Sequence, residues 1–214
     1  REMWLILEFC SHGDLKNFLI KNKTQILSVN ENKSLLNDRY LIYWAHDIAK
    51  GMKYLSTKKI MHGDLAARNV LLHHNTLECG RLIAKVADFG LSKRFYDKLT
   101  YEKESRVLVP WRWMALEYLS SDVFMLNSDV WSFGVVLWEI LSFGRAPYAD
   151  KEYDEVLAEL ESGYRLPCPL DIQYVTSWSP ERFYNEVSNV CFKADPNTPA
   201  SFTDVVKIIE EQIS

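Results

Sequence analysis

The chain holds 214 residues, 48% of them apolar and 25% charged, with a formal net charge of −4. That is enough to bury one sizeable core, so the chain fits one domain or the greater part of one, with the composition of a soluble globular protein. The acidic balance, with both signs interspersed, excludes a general nucleic-acid binder, and the longest apolar stretch, around Phe133 to Ile140, is too short to span a membrane and contains Glu139.

In chain order, Trp4 to Phe9 is a short apolar run closed by Ser11-His12-Gly13, which reads as a buried strand. Asp14 begins a helix with Leu15, Phe18 and Leu19 on one face. Residues 21–37 are rich in Asn and Lys without a clear period and read as a polar surface insert. Asp38 can cap a long helix whose apolar stripe is Leu41, Ala45, Ile48, Ala49, Met52 and Leu55. Ile60-Met61 is a short strand. Val70 to Leu72 and Leu82 to Val86 make two more, joined by a polar turn that carries His73-His74, two histidines without a third metal ligand.

From Leu91 to Val109 the composition is that of a loop, and a loop of this length inside a compact domain is more often functional than a plain linker. Asn127-Ser128-Asp129 caps a helix that is apolar nearly all round from Val130 to Leu141, so it must run through the middle of the domain. Gly144 stops it. Helices near 152–162, 180–192 and 202–213 follow, with no repeat and no second zone of composition. Cys10, Cys79, Cys168 and Cys191 are far apart, match no metal spacing and read as the reduced thiols of a cytosolic chain.

The chemistry is concentrated in His62-Gly63-Asp64-Leu65-Ala66-Ala67-Arg68-Asn69 and, further on, Asp88-Phe89-Gly90. A carboxylate at Asp64 can accept a proton, while Asn69 and Asp88 offer hard oxygens to a cation such as Mg²⁺. Either acid could instead be a helix cap or a turn residue, and Arg68 could be a salt-bridge partner within the loop.

Together and in this order, these residues resemble the His-Arg-Asp-Leu-x-x-x-x-Asn and Asp-Phe-Gly signature of protein kinases. Ala66-Ala67-Arg68 is similar to the tyrosine-specific form of the loop, and Pro110-Trp111-Arg112-Trp113-Met114 resembles the tyrosine-kinase substrate loop. Ser128 to Gly134 is similar to the family's central helix, where the aspartate holds the catalytic loop's backbone. The resemblance implies an α+β, protein-kinase-like fold over 1–214: a hinge and a mainly α-helical C-terminal lobe with a few short strands, without the N-terminal lobe. Residues 88–117 then form the activation segment.

The same resemblance implies in-line transfer of the γ-phosphate of ATP to a protein tyrosine. Asp64 takes the hydroxyl proton, Arg68 lies near the phosphate, and Asn69 and Asp88 hold Mg²⁺. Leu7, Glu8, Phe9 and Cys10 would be the hinge against adenine, with Leu7 as gatekeeper and Leu71 in the adenine floor. Pro110, Trp111 and Trp113 would face the substrate, and Tyr101 and Tyr96 are the phosphorylation candidates. His62 and Phe89 are expected to pack rather than react.

The implied partners are a tyrosine-bearing protein, SH2-type phosphotyrosine readers and a second copy in a dimeric parent receptor, with no nucleic acid and no membrane contact by this segment. The implied place is the cytoplasm, as the intracellular part of a membrane receptor. The hinge resembles receptor kinases of the fibroblast, platelet-derived or vascular growth-factor type.

Three departures qualify this. This sequence contains no Gly-rich phosphate loop, no strand lysine and no glutamate to pair with it, so the chain alone is expected to transfer phosphate poorly. Gly63 replaces the arginine that pairs with a phosphorylated activation loop. Pro199 stands where relatives carry the arginine that pairs with the counterpart of Glu117. All three favour a rival reading, a pseudokinase-like binding module that docks partners and phosphorylates nothing, while the intact base and metal positions argue against it.

Overall fold

The computed structural model describes Trp4 and residues 6–28, 36–74, 81–95, 100–102, 109–121, 123–125, 127–169, 178–193 and 200–213. Helices dominate, as expected of an α+β chain with few strands. They are α1 (Leu15–Ile26), α2 (Arg39–Thr57), α3 (Leu116–Ser121), α4 (Ser128–Leu141), α5 (Tyr153–Glu161), α6 (Pro180–Cys191) and α7 (Phe202–Ile213).

The described strands form three separate antiparallel pairs. β1 (Ile60–Met61) meets β4 (Lys93–Arg94), β2 (Val70–His74) meets β3 (Leu82–Val86), and β5 (Thr100–Glu102) meets β6 (Val123–Met125).

α4 is the axis of the molecule. Every residue from Ser128 to Leu141 is buried, which is why its sequence is apolar on all sides. α6 lies against it so closely that a Cβ on Gly134 would come within 2.7 Å of Phe192. α1 and α2 also pack on α4, and α2 in turn carries α7 and β3. The seam of α2 follows the predicted one: Leu41, Ala45, Ile48, Ala49 and Met52 are buried, and Leu55 is half-buried. Trp44 adds a buried indole whose Nε1–H donates to Leu82 O at 3.2 Å.

Local signals explain several helix ends. Asp14 caps α1 by accepting from Asn17 N–H at 2.9 Å. Glu152 and Glu155 form a reciprocal capping box on α5, and Pro180 sits at the start of α6, where its missing N–H costs nothing.

Some expectations need correction. The described residues between Trp4 and Phe9 form no strand: Trp4, Ile6, Leu7 and Phe9 are 75–91% exposed. A mostly apolar run becomes a buried strand only where it meets a hydrogen-bonding edge and cover on both faces, and among the described residues it meets neither.

The polar insert assigned to 21–37 begins later, because α1 continues to Ile26, which is only 1% exposed. One buried side chain per turn was enough to extend the helix, and the Lys and Asn residues around it hid that period. Residues 29–35 of the insert lie outside the described residues.

Asp38 is already helical and makes no side-chain cap. Asn37 accepts from Arg39 N–H at 3.1 Å instead. Asn127 likewise makes no side-chain cap on α4. His73 and His74 belong to β2 rather than to the turn, and the polar stretch after Leu91 contains β4 and β5. Cys10, Cys168 and Cys191 are free thiols, and Cys79 is outside the described residues.

Candidate active site

β1 delivers the loop from His62 to Asn69 into the interior, and α4 holds it from below. Asp129, 3% exposed, accepts from His62 N–H at 2.6 Å and from Gly63 N–H at 3.0 Å. Burial pushes its carboxyl above the usual carboxylate range, opposed by those two N–H donors. His62 is fully buried. Its Nε2 contacts Ala87 O at 3.0 Å, its carbonyl accepts from Ser92 Oγ at 3.1 Å, and its ring lies 5.2 Å from that of Phe89. His62 packs as expected, whereas Phe89 meets it on one side and is otherwise 49% exposed.

Gly63 has φ +78°, and a Cβ there would approach Leu91 O to 3.0 Å. Glycine meets this turn without strain.

The turn aims Asp64 at its neighbours. Arg68 Nη2 donates to Oδ1 at 2.5 Å, while Asn69 Nδ2 donates to Oδ2 at 2.8 Å and to the Asp64 carbonyl at 2.7 Å. With a side chain 18% exposed, the carboxylate is fixed in orientation but open to solvent.

Since Nδ2 of Asn69 is committed to Asp64, the amide oxygen is the end left for another ligand. The carbonyl of Asn69 accepts from Ala87 N–H at 2.9 Å, which brings the chain at Asp88 alongside. Asp88 is exposed with φ +61°, a conformation few non-glycine residues hold, and its Oδ1 accepts from Gly90 N–H at 3.1 Å. One amide oxygen and one carboxylate are hard donors that fit Mg²⁺, which keeps most of its shell as water or phosphate oxygen.

Of the expected substrate-loop residues, Trp113 joins the same site, while Trp111 faces Arg112 and Tyr153. Trp111 to Trp113 form one 3₁₀ turn. The Arg68 guanidinium lies 4.4 Å from the centre of the Trp113 ring, and Ser132 Oγ donates to Trp113 O at 2.8 Å. Arg112 donates to Lys151 O at 3.1 Å and stacks 4.1 Å from Trp111, whose other neighbour is Tyr153, edge-on at 5.6 Å.

The hinge residues are less gathered. Leu7 and Phe9 are exposed, and Cys10 and Leu71 are half-buried. Glu8 is tied to β3 by Lys85 Nζ at 2.5 Å and lies 3.5 Å from His73 on β2. That ion pair holds its carboxyl below the usual range. The chain then joins β2 through Leu72 N–H to Gly13 O at 2.9 Å. Tyr101 lies in β5 opposite Phe124, whereas Tyr96 and Pro199 fall outside the described residues.

The model of the family described as protein tyrosine and serine/threonine kinase matches residues 1–209. The chain belongs to that family.

Similar proteins include a tyrosine-protein kinase receptor TYRO3 of Danio rerio, 41% identical over 182 residues, covering 82% of this chain and 20% of that protein. An angiopoietin-1 receptor of Danio rerio is 36% identical over 98% of the chain and 18% of its own length. A fibroblast growth factor receptor of Hydra vulgaris is 33% identical over 99% and 24%. The chain thus spans about a fifth of the length of these relatives. It is a segment similar to receptor tyrosine kinases, with the fold of the helical C-terminal lobe. The fibroblast growth-factor type is among the relatives, together with two types that the hinge did not suggest.

One buried residue of this kinase segment was missed. Glu139 on α4 is fully buried. Its Oε2 accepts from Ala67 N–H at 2.9 Å and from Trp113 Nε1–H at 2.8 Å. The available signal was a single carboxylate in an otherwise apolar helix turn. No helix among the described residues is long and apolar enough to cross a membrane.

Proposed function

We propose that this chain is the acceptor-side half of a protein tyrosine kinase site, working in the full-length protein to transfer the γ-phosphate of ATP to a tyrosine hydroxyl. The observation that carries this reading is the Asp64 carboxylate, clamped on one oxygen by Arg68 and on the other by Asn69. A carboxylate so oriented can align a hydroxyl and take its proton as the phosphate leaves.

Arg68 lies between Asp64 and Trp113, where it can meet both the acceptor ring and the transferring phosphate. Asn69 and Asp88 would hold Mg²⁺, whose charge offsets that of the phosphates. Backbone groups of Glu8 to Cys10 would take the adenine edge, with Leu71 beneath it. Residues 88–117 would act as the activation segment, and Pro110, Trp111 and Trp113 would line the acceptor groove. Relatives named as receptors support a place in a receptor; a cytoplasmic position, a dimeric parent and SH2-type readers are what the family resemblance would add.

The test is phosphotyrosine formation on a tyrosine peptide by the full-length protein with Mg²⁺ and ATP, compared with Asp64→Asn. Loss of transfer with retained nucleotide binding supports the reading; equal transfer by the variant overturns it.

Gly63 favours the second reading, a binding module without phosphotransfer. It brings no charge to the loop, and its left-handed backbone gives a larger residue no easy place. Wild-type protein that binds a partner but leaves peptides unphosphorylated would establish that reading.

A further inference from the structure

α4 carries two carboxylates, and both are buried: Asp129 at its start and Glu139 near its end. Asp129 has a conventional task, with each oxygen accepting one N–H from the catalytic loop. Glu139 is arranged differently. One oxygen, Oε2, accepts both Ala67 N–H and Trp113 Nε1–H, and Oε1 is buried with no hydrogen-bond partner among the described residues. The two donors belong to different loops: Ala67 immediately precedes Arg68, and Trp113 belongs to the substrate loop. Arg68 closes the circuit by lying over the Trp113 ring.

If Glu139 only satisfied two buried N–H groups, a glutamine would serve, at the cost of an unpartnered –NH₂ where Oε1 lies. Its amide oxygen would accept both, and no charge would be taken out of water. A carboxylate with one oxygen idle is costlier than that task requires. What it adds is charge, directed at Arg68 and at the two N–H donors.

We propose that Glu139 is a positioning residue that fixes the catalytic loop against the substrate loop, so that its charged state sets how Arg68 and Trp113 present the acceptor tyrosine. This rests on the phosphotransfer reading above.

The surroundings make that charge adjustable. Burial raises the Glu139 carboxyl to about 7, opposed by Trp113 N–H, Ala67 N–H, Arg68 and, from α1, Lys16. The other elements packed on α4 turn their ionisable groups elsewhere. On α2, Asp47 pairs with Arg81 and His46 with Glu210, and α6 brings Cys191 and Phe192 against Gly134. On the substrate loop, Arg112 is turned to Lys151 O and Trp111.

Below pH 7 the neutral carboxyl is a weaker acceptor. Above it the carboxylate draws both N–H groups and Arg68 together, since charge-assisted hydrogen bonds are roughly twice as strong as neutral ones.

Two measurements on the full-length protein test this. The first needs no activity: the Trp113 indole N–H resonance, assigned with Trp113→Phe, is followed by NMR from pH 5.5 to 8.5. The expected result is a shift with its midpoint near 7 that is absent in Glu139→Gln. A flat wild-type resonance overturns the proposal even if every variant folds poorly.

The second is the pH profile of kcat/KM for a tyrosine peptide. Wild type should gain activity with an ionisation near 7, and Glu139→Gln should lack that step. The variant should fall about tenfold below wild type at pH 8 and stay near it at pH 6, with the KM for ATP unchanged. An identical profile in both proteins overturns the proposal. A wild-type protein that phosphorylates nothing refutes the phosphotransfer reading alone, and the indole titration still decides the role of Glu139.

Discussion

The guanidinium of Arg68 stacks 4.4 Å from the centre of the Trp113 ring while the same side chain holds the Asp64 carboxylate at 2.5 Å. One cation therefore joins the proposed proton acceptor to the proposed substrate loop. Its planar shape allows both contacts at once, which an ammonium on a flexible stem does not reproduce. Arg68→Lys is expected to lower kcat/KM for a tyrosine peptide about a hundredfold, the usual scale for small misplacements at a reacting centre, with little change in melting temperature. Steady-state kinetics with a thermal scan of the same samples checks this.

Asp129→Ala should destabilise the protein by roughly 2–4 kcal/mol, because the His62 and Gly63 N–H groups stay buried without an acceptor. Asp129→Asn keeps one acceptor oxygen and should cost about half as much. Urea unfolding midpoints of the two variants give the comparison.

Glu139 makes a pH-dependent prediction for stability. Its folded pKa, about 7, is raised above the ordinary value of 4.5, so the native state binds the proton more tightly than the unfolded chain does. Its contribution is fully present below pH 4.5 and is lost as pH rises to 7. Relative to Glu139→Gln, wild type should lose roughly 3 kcal/mol between pH 4.5 and 8. Urea titrations at several pH values, with the variant as reference, measure the difference.

Gly134→Ala should cost about 1–3 kcal/mol or more through overpacking, since the new methyl meets Phe192 at 2.7 Å and Cys191 at 2.8 Å between two packed helices. Gly13→Ala provides the contrast: nothing lies within 4 Å of its Cβ, so only the left-handed φ of +69° penalises it, by about 1–2 kcal/mol. Circular-dichroism melts of both variants separate crowding from backbone strain.

Tyr101→Phe should reduce activity of the full-length protein less than twofold. In the family the arginine that precedes the loop aspartate meets such a phosphate, and Gly63 supplies no charge at that position. Initial rates before and after prolonged incubation with Mg²⁺ and ATP decide it. A large loss in the variant would show that another basic group does that work.

Much of the architecture was legible because burial leaves a periodic trace. The buried seam of α2 and the all-round apolar pattern of α4 located both helices, and β2 and β3 could be read from their apolar runs. The loop from His62 to Asn69 stood out for another reason: the proposed phosphotransfer calls for an acid and an amide at that spacing.

Misreadings arose where a signal depends on something distant in sequence. Trp4 to Phe9 has a strand's composition but lacks cover among the described residues. Ile26 extended α1 past its polar surroundings, and Asn37 took the capping bond expected of Asp38. Glu139 belonged to no motif, since only the fold brings it to Ala67 and Trp113.

The placement of Asp129 and Glu139 on one helix gives the site a property of phase. Ten positions at about 1.5 Å each separate two anchors, and each residue advances the side-chain direction by about 100°. A one-residue insertion or deletion between them would leave α4 apolar and helical but swing one carboxylate off the catalytic loop. Substitutions should therefore be tolerated along that interval far better than any change in its length.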